Sequence, residues 1–454
     1  MSPMLERFEA TFLKAIATEM AAMERRLGSF TVPLSRPVRI ESSEFGVPQR
    51  YQFVLGAPND KLVLNTECDL VFKGGERLVN IDAIERNTVT VSCDSPVPLG
   101  LDEYSLVIYP WFLYEKLKQA ISSIGTAQDV CPETAFRLFG KTTPLSIPSQ
   151  LVRSHDQLNE SQRRALASER FDTIIVEEAG MAVLPSLFYC ACLARDKAVM
   201  IGDPRQLPPI VTADDAFVRS AMGRSIFEVT VPDPHAFDAV VMLDTQYRMH
   251  PSISRMVSSL FYEGKLICGP DTAHQESMAQ RDPYPGESVI VIDTAGRSTC
   301  RRRDGGSSRY NESTARLCVD LARQGVAQGV ETTAIITPYV EQARLVRKLL
   351  SEAHIPESRV EAHTVHRFQG NERDVVIFDT VDAQPLAPGV LLTADGPGSQ
   401  ARNLVNVSIS RARGKLIIIA DVAYFRQRVP GCIVSEMLEL AAREGTVIPA
   451  RLPA

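Results

Sequence analysis

The chain has 454 residues, of which 44% are hydrophobic and 23% charged, and its formal net charge is -6. Such a composition is typical of a globular protein with roughly three domains. A strongly basic total, which would indicate a polyanionic partner, is excluded, although a groove can be basic on an acidic protein. No apolar run approaches the roughly 18 residues of a membrane span, so no membrane association is expected.

Local charge and cysteine usage narrow the class further. Glutamates interrupt the apolar positions of residues 1–28, which argues against a targeting peptide. Short basic runs at 301–303 and 344–348 are best interpreted as solvated surface. The nine cysteines include no C-x-x-C pair, and the closest are Cys190 and Cys192. This pattern predicts reduced thiols in a cytoplasmic protein and no zinc site.

The first 157 residues change their periodicity twice. Apolar residues recur every three or four positions over 4–24, which predicts an amphipathic helix. Over 50–110 they alternate between turn signals, which predicts a small antiparallel barrel. A helix is expected from Trp111 to about Ile124, and the prolines of 125–157 indicate a connector.

Short apolar strands alternate with helices from residue 171 onward, and Val340–Ala353 is one of the predicted helices. The strands are near-continuous hydrophobic runs, as in sheets covered on both faces, so the sequence predicts an α/β fold with a parallel sheet. The predicted strands are Thr173–Val176, Ala198–Ile201, Ala239–Leu243, Val289–Ile292, Thr333–Thr337, Val375–Asp379 and Leu416–Ala420.

The strand within FDTIIVEEAG, residues 171–180, runs directly into Glu177 and Glu178. Parallel α/β sheets bind ligands at the carboxyl ends of their strands. One carboxylate there can hold a magnesium ion, and the other can accept a proton from an attacking water. Taken alone, the segment is better explained as a strand that merely ends in acidic residues.

Four further segments place polar groups in loops beside strands. In the first, Gly202 and Asp203 predict a tight turn, and Gln206 offers an amide to a phosphate or a water. The segments are MIGDPRQLPP at 200–209, LDTQYRMHP at 243–251, HTVHRFQGNERD at 363–374 and NLVNVSISRAR at 403–413.

In this order, the segments resemble the motifs of Upf-like superfamily 1 helicases, from Leu158 to about Asp421. The resemblance implies a RecA-like core of parallel sheets flanked by helices, ATP and Mg²⁺ as cofactors, and single-stranded DNA or RNA as partner. It implies an accessory helix and β-barrel at 1–125, and an incomplete first RecA-like domain at 126–235 with the adenine, acidic and GDPRQLPP motifs. The second RecA-like domain, with the QYRMHP and SRAR motifs, would occupy 236–454.

The resemblance also implies roles for single residues in the first domain. Gln162 would contact the adenine edge. Glu177 would be the magnesium carboxylate, and Glu178 would activate the attacking water. Gly202 and Asp203 would form the turn beside the nucleotide, and Gln206 would sense the γ-phosphate.

In the second domain, the resemblance makes Arg248 and Arg411 arginine fingers, whose planar guanidinium groups suit the charge on a transferring phosphoryl group. Tyr247 would lie against the adenine, and Glu372 would contact the ribose or nearby phosphates. The less favoured alternative is that both arginines are ordinary ion-pair partners and that Tyr247 is a core aromatic.

Four residues of the second domain would touch the nucleic-acid backbone, according to the resemblance: Thr337, Pro338, Thr364 and His366. The alternative for His366 and its neighbour His363 is a loop histidine whose hydrogen bonds are satisfied within the protein.

The sequence departs from the family at two places. Glu177 stands where the family usually has Asp, and the extra methylene moves the carboxylate outward. A Gly-rich phosphate loop should follow Gln162, but only residues 163–170 separate Gln162 from the acidic strand. Without the phosphate-loop strand, the edge of the acidic strand would be unpaired. Either a rearranged amino-terminal segment or a partner chain covers it, or nothing does and the first domain is loose.

One formal near-match to a phosphate loop is AFRLFGKT at 135–142. Its middle residues are bulky, whereas a phosphate cradle needs small residues and inward-pointing N–H groups. The segment instead predicts a helix that starts at Pro132 and has Gly140 as its C-cap. It also precedes the adenine motif, which is the wrong order.

Three functions remain open at this point. The chain is a nucleic-acid-dependent ATPase or helicase, or a non-catalytic pseudo-helicase that binds single strands or a protein partner, or an ordinary helicase carrying an internal deletion. The intact arginine motifs favour the first, and the missing cradle favours the second. The abrupt junction near Ser168–Phe171 favours the third.

Overall fold

The computed structural model describes residues 3–40, 49–56, 62, 66–85, 87–93, 95–101, 103–125, 130–139, 171–231, 240–303, 306–368, 370–394 and 400–452. The chain divides into two units. The first is Met1–Ile201 with Pro209–Pro234, and the second is Gly202–Pro208 with His235–Ala454.

The first unit begins with a helix at Pro3–Leu27, followed by a closed antiparallel barrel in the order β1-β2-β5-β4-β3-β6, in which β6 pairs again with β1. Alternate residues such as Phe53, Leu70 and Ile81 fill the barrel and are fully buried, as period-two patterning requires. The predicted helix and barrel are confirmed, but β1 lies before the predicted range of 50–110. The strands are β1 Phe30–Ile40, β2 Gln49–Leu55, β3 Glu67–Phe72, β4 Gly75–Glu85, β5 Thr88–Cys93 and β6 Tyr104–Ile108.

The rest of the first unit is an α/β layer. Strands β7 Phe171–Val176 and β8 Ala194–Met200 pair in parallel, and within the described part of the chain no third strand joins them. Buried Glu19 of the first helix accepts hydrogen bonds from the backbone N–H groups of Thr212 and Ala213, at 2.5 and 2.8 Å. The helices are Phe112–Ser123, Pro132–Leu138, Leu184–Cys192, Ala216–Met222 and Ile226–Thr230.

The second unit is built on a six-stranded parallel sheet in the order β15-β14-β16-β17-β11-β18. Two-residue strands β9 Thr245–Gln246 and β10 Ile267–Cys268 pair in parallel, and β12 Arg301–Arg302 and β13 Arg309–Tyr310 form a hairpin. The sheet strands are β11 Val289–Asp293, β14 Thr333–Thr337, β15 Val360–Thr364, β16 Arg373–Asp379, β17 Ala412–Ala420 and β18 Thr446–Pro449.

Helices cover both faces of this sheet. Within β16, Val376 and Phe378 pack into one hydrophobic core while Val375 and Ile377 pack into another on the opposite face. This two-sided burial explains the continuous apolar runs and confirms the predicted α/β class. The helices are Pro251–Phe261, Ala273–Ala279, Glu312–Ala327, Val340–Glu352, Val365–Phe368, Val390–Thr393, Ala401–Ile409, Val422–Arg428 and Ile433–Glu444.

One predicted strand is wrong. Residues 240–244 form no strand, and Val241 and Leu243 are 74% and 78% exposed. Pairing begins only at Thr245, because the partner strand β10 offers just two residues. An apolar run predicts a strand only where neighbouring strands cover it. Among the described residues, no helix combines the length and the apolar character needed to cross a membrane.

Candidate functional site

The acidic turn of the first unit lies at the carboxyl end of β7. Glu177 and Glu178 are both exposed, and neither carboxylate has a hydrogen-bond or ion-pair partner among the described residues. The turn is fixed through its backbone, because Ala179 N–H donates to the Ile201 carbonyl at 2.9 Å. Glu178 adopts a φ of 53°, a left-handed conformation that non-glycine residues rarely hold without support.

The near-match to a phosphate loop is helical where it is described. Ala135 and Phe136 lie in the helix Pro132–Leu138 and are buried, and Phe139 N–H bonds back to the Ala135 carbonyl at 2.9 Å. These N–H groups serve the helix, so they do not form an anion cradle. Gln162, and the Gly140 to Thr142 part of the near-match, lie outside the described residues.

The GDPRQLP segment is pinned within the second unit. Asp203 accepts hydrogen bonds from Gln206 Nε2 at 3.0 Å and from the Tyr262 hydroxyl at 2.5 Å. Burial, together with the Asp203 carboxylate, raises the pKa of Tyr262 above its ordinary value. Asn403 Nδ2 donates to the Gln206 carbonyl, also at 2.5 Å. The turn that begins at Gly202 is therefore held by side chains far away in sequence.

In the QYRMHP loop, some side chains hold the backbone in place and others are exposed. Gln246 Oε1 accepts from the N–H groups of Arg248 and Met249, at 2.9 and 2.7 Å, and Met249 is buried. His250 accepts the Ser252 N–H through Nδ1 and so caps the helix Pro251–Phe261. Tyr247 is 64% exposed, which removes the core-aromatic alternative. The loop thus leaves the Tyr247 ring exposed, whereas Arg248 is half-buried.

Glu372 joins two arginines in the second unit. Arg248 Nε lies 2.6 Å from Glu372 Oε2, and Arg413 Nε lies 2.9 Å from Glu372 Oε1. Burial alone would raise the pKa of Glu372, but the hydrogen bonds from Arg413 and Arg248 outweigh it and hold that pKa below its usual range. In this conformation Arg248 is an ion-pair partner, and its role as an arginine finger stays a prediction.

Arg411, the other predicted finger, is 2% exposed and donates to the Ser410 hydroxyl at 3.2 Å. Its charge acts on Tyr262, the residue that bonds Asp203. Both arginines belong to the second unit, as does the whole GDPRQLP segment, whereas Glu177 and Glu178 belong to the first.

The predicted nucleic-acid residues lie at the carboxyl ends of β14 and β15. Thr337 and Thr364 are direct partners in the sheet register. Thr337 is 1% exposed and its hydroxyl accepts from Tyr339 N–H at 3.5 Å, and Pro338 is also buried. His366 reaches the surface, although partial desolvation lowers its pKa. The structure thus brings these residues together at one edge of the sheet. This edge is named the strand edge, after the nucleic-acid strand that it is predicted to bind, and it is defined by Thr337, Pro338, Thr364 and His366.

Two supporting groups were missed in the sequence. Arg413 stands two residues beyond the predicted finger, and its only signal was the second arginine of the SRAR motif. Buried Asp382 bonds Arg309 at 2.8 Å, the Tyr339 hydroxyl at 3.0 Å and the Gly389 N–H at 2.7 Å. This network fixes the loop after Pro338, and no local pattern announces it.

Among the described residues, the acidic turn contains the predicted magnesium ligand, Glu177. Within the described ranges, no cluster of three or more His, Cys, Asp or Glu side chains is arranged to hold an ion. The exposed Glu177 carboxylate fits an ion that keeps several waters and takes one or two protein carboxylates, which is the preference of Mg²⁺.

Comparison with known proteins gives two family matches, both described as AAA domain, over residues 157–214 and 222–423. The DNA-binding protein SMUBP-2 of Mesocricetus auratus is 31% identical over 267 residues, covering 57% of this chain and 26% of that protein. The DNA replication ATP-dependent helicase/nuclease JHS1 of Arabidopsis thaliana is 28% identical over 275 residues, covering 56% and 19%. The chain therefore spans about a quarter or less of the length of these relatives.

Among solved structures, the Arterivirus nonstructural protein 10 helicase aligns with a TM-score of 0.32 and 11% identity, covering 85% of this chain and 80% of that one. A TM-score this low adds nothing to the comparison.

Proposed function

The chain belongs to the Upf-like superfamily 1 helicases, and from this premise we propose that it binds single-stranded DNA or RNA and ATP with Mg²⁺, and that strand binding stimulates ATP hydrolysis. The observation that carries the proposal is the acidic turn. Two exposed carboxylates that have no partner among the described residues follow a parallel strand, and Glu178 is held in a left-handed conformation. Unpartnered charge and backbone strain at a strand end are typical of functional sites.

The residues would divide the chemistry as follows. ATP with Mg²⁺ supplies the phosphoanhydride and the cation that offsets its charge. Glu177 would hold the ion, and Glu178 would accept the proton of the attacking water. Arg248 and Arg411 would face the phosphoryl oxygens, and Gln206 the γ-phosphate.

The remaining predicted residues would bind the nucleoside. Exposed Tyr247 would lie against the adenine, whose edge Gln162 would contact, and Glu372 would contact the ribose. For Arg248 and Glu372 this requires their mutual ion pair to open when the nucleotide binds. That requirement distinguishes them from Tyr247, whose ring is already exposed.

A second candidate function is strand binding without hydrolysis. It is favoured by the helix Pro132–Leu138, which removes the described part of the near-match as a phosphate cradle. Each charge-assisted hydrogen bond of such a cradle contributes roughly 1.5–3 kcal/mol. Losing a few of them would weaken ATP binding by orders of magnitude, at about 1.4 kcal/mol per tenfold. The strand edge lies in the second unit and would be unaffected.

Phosphate release stimulated by single strands tests both candidates. The wild type is compared with Glu178→Gln and with Asp172→Asn, a matched control that removes an exposed carboxylate from the other end of β7. The first candidate expects strand-stimulated release in the wild type and the control, and a loss of at least a hundredfold in Glu178→Gln. No release by any of the three, with strand binding intact in all, establishes the second candidate. No release and no strand binding overturns both.

Two further proposals concern a protein partner and the cellular location of the chain. A partner chain covering the outer edge of β7 is supported by the partial exposure of that strand. Rapid hydrogen exchange of the β7 amides in the purified chain would show that this edge is open to a partner, and slow exchange would contradict the proposal.

A cytoplasmic location is supported by the free state of all nine cysteines, and localisation of the tagged chain would test it.

A further inference from the structure

The hairpin β12–β13 presents two arginines that have no role in the proposed nucleotide binding. Arg301 and Arg302 are exposed, and neither forms an ion pair with a described residue. They occupy the first strand of the hairpin, where Arg301 pairs with Tyr310 and Arg302 with Arg309. Arg303 follows them and is engaged, with its Nε 2.8 Å from Glu341 Oε2.

The hairpin is anchored beside the strand edge. Cys300, directly before Arg301, packs in a small buried cluster with Tyr339, which directly follows Pro338. The Cys300 N–H donates to the Gln384 carbonyl at 3.0 Å. On the return strand, buried Arg309 forms an ion pair with Asp382 at 2.8 Å, and Asp382 also bonds the Tyr339 hydroxyl. The backbone that carries Arg301 and Arg302 is thus tied to the loop that carries Pro338.

Among the described residues, the two glutamates nearest the hairpin already have cationic partners. Glu341 is shared between Arg303 and Arg344, so this carboxylate is already neutralised by two cations. Glu312 forms an ion pair with Arg316, and Arg301 adds to the positive potential that Glu312 experiences. Neither glutamate is therefore left to neutralise Arg301 and Arg302. Exposed guanidinium groups on a fixed backbone are suited to phosphate oxygens, which they can bind through two parallel hydrogen bonds.

We propose that Arg301 and Arg302 form an additional phosphate-binding site for the single strand, continuous with the strand edge. The inference rests on the proposed strand binding and extends it to a part of the chain outside the quoted motifs. Contacts to phosphates carry no sequence information, so these arginines set affinity and salt dependence for any strand sequence. They take no part in ATP hydrolysis.

Fluorescence anisotropy of a labelled oligothymidylate, recorded as a function of salt, tests the site in the full chain. The test variant is Arg301→Ala with Arg302→Ala. The matched control is Arg323→Ala with Arg443→Ala, which removes the same charge from exposed positions. Both control residues lie near the ends of helices that lead into β14 and β18, at the amino edge of the sheet and away from the strand edge. A third variant, Arg301→Lys with Arg302→Lys, keeps the charge.

Two phosphate contacts on a single strand correspond to a change of about 1.4 in the slope of log affinity against log salt. In the test variant, the slope of log affinity against log salt should be smaller by about 1.4, and binding should be roughly ten- to thirtyfold weaker at about 0.1 M salt. The control should keep the wild-type slope and affinity. The lysine variant should recover the slope and most of the affinity. Recovery would also show that the alanine variant fails through lost charge and not through misfolding.

Equal slopes and affinities in the wild type and the test variant would overturn the inference and leave the proposed strand binding standing. Equal losses in the test variant and the control would also overturn it, because the effect would then be one of net charge. Absence of strand binding by the wild type would remove the proposed function and this inference together.

Discussion

Parallel strands end in predicted functional loops in both units, but the two sheets support those loops differently. In the second unit, β16 and β17 are buried along nearly their whole length, and polar side chains pin the loops that follow them. In the first unit, β7 is partly exposed, and among the described residues the acidic turn after it is held by a backbone hydrogen bond and the buried Ala179, without a polar side chain. The strength of a sequence motif therefore does not report how firmly the structure holds it.

The support in the second unit comes from residues remote in the sequence. Arg413 is 41 positions from Glu372, and Arg248 is 124 positions from it. Such pairs exist only after the sheet has formed, so the loops inherit the stability of the core. The acidic turn has no comparable polar partners among the described residues, and it is held by the hydrogen bond from Ala179 N–H to the Ile201 carbonyl and by burial of Ala179 in the core of the first unit.

Truncating one core residue in each sheet should give the largest difference. Phe378 of β16 is fully buried, whereas Ile175 of β7 is half-buried. Phe378→Ala should cost about 3–5 kcal/mol of unfolding free energy, and Ile175→Ala only about 1 kcal/mol, because less apolar surface is lost. Denaturant unfolding monitored by circular dichroism measures both, and the two units should contribute separate transitions. Similar losses for both would mean that β7 is covered as fully as β16.

The buried Asp379 at the end of β16 should make the stability of the second unit depend on pH. Burial raises its pKa from 3.8 to about 6, against hydrogen bonds from Gln342 and Thr314 that lower it. The folded state then holds the proton more tightly than the unfolded chain. Stability from this group is therefore fully present below about pH 4 and is lost as the pH rises through about 6, by on the order of 3 kcal/mol.

Asp379→Asn should remove that loss. The measurement is the unfolding free energy of wild type and variant between about pH 4 and pH 7, taken as a difference so that other titrating groups cancel. The variant can be less stable overall, since an amide cannot accept all of the same hydrogen bonds. Parallel pH profiles would contradict the assigned pKa, whatever the offset between them.

The barrel was predictable because burial alternates along its strands with a period of two. The sheet of the second unit was predictable for a different reason, because its strands are buried on both faces and appear in the sequence as continuous apolar runs. The prediction failed for the strand Ala239–Leu243, because no strand among the described residues covers the apolar run at 240–243. The partners of Glu372 could not be predicted, since which of several arginines faces a carboxylate is set by tertiary packing. The inward direction of the Thr337 hydroxyl could not be predicted either, because a motif specifies a position in the chain and not the direction of a side chain.

The QYRMHP loop allows a smaller perturbation. A Cβ added at Gly269 would lie 2.4 Å from the Tyr247 ring, so Gly269→Ala must displace that ring. Because the ring is exposed and can turn outward, stability should change by less than about 1 kcal/mol. Adenine-nucleotide affinity should fall roughly fivefold, the effect of losing an aromatic contact of about 1 kcal/mol. Fluorescent-nucleotide titration should then give the same value for Tyr247→Ala. Unchanged affinity in both variants would remove Tyr247 from the predicted adenine site.

The smallest effect compares one ion pair from each unit by double-mutant cycles. Arg413 and Glu372 are each about two-thirds buried, whereas Arg195 and Asp172 of the first unit are 55% and 71% exposed at 3.0 Å. The first pair should show a coupling of about 1 kcal/mol, because Glu372 is shielded and already oriented by Arg248. The second should fall below about 0.5 kcal/mol, because water screens both charges. Equal couplings would mean that Glu372 is solvated in solution, and the loops of the second unit would then owe their order to the apolar core alone.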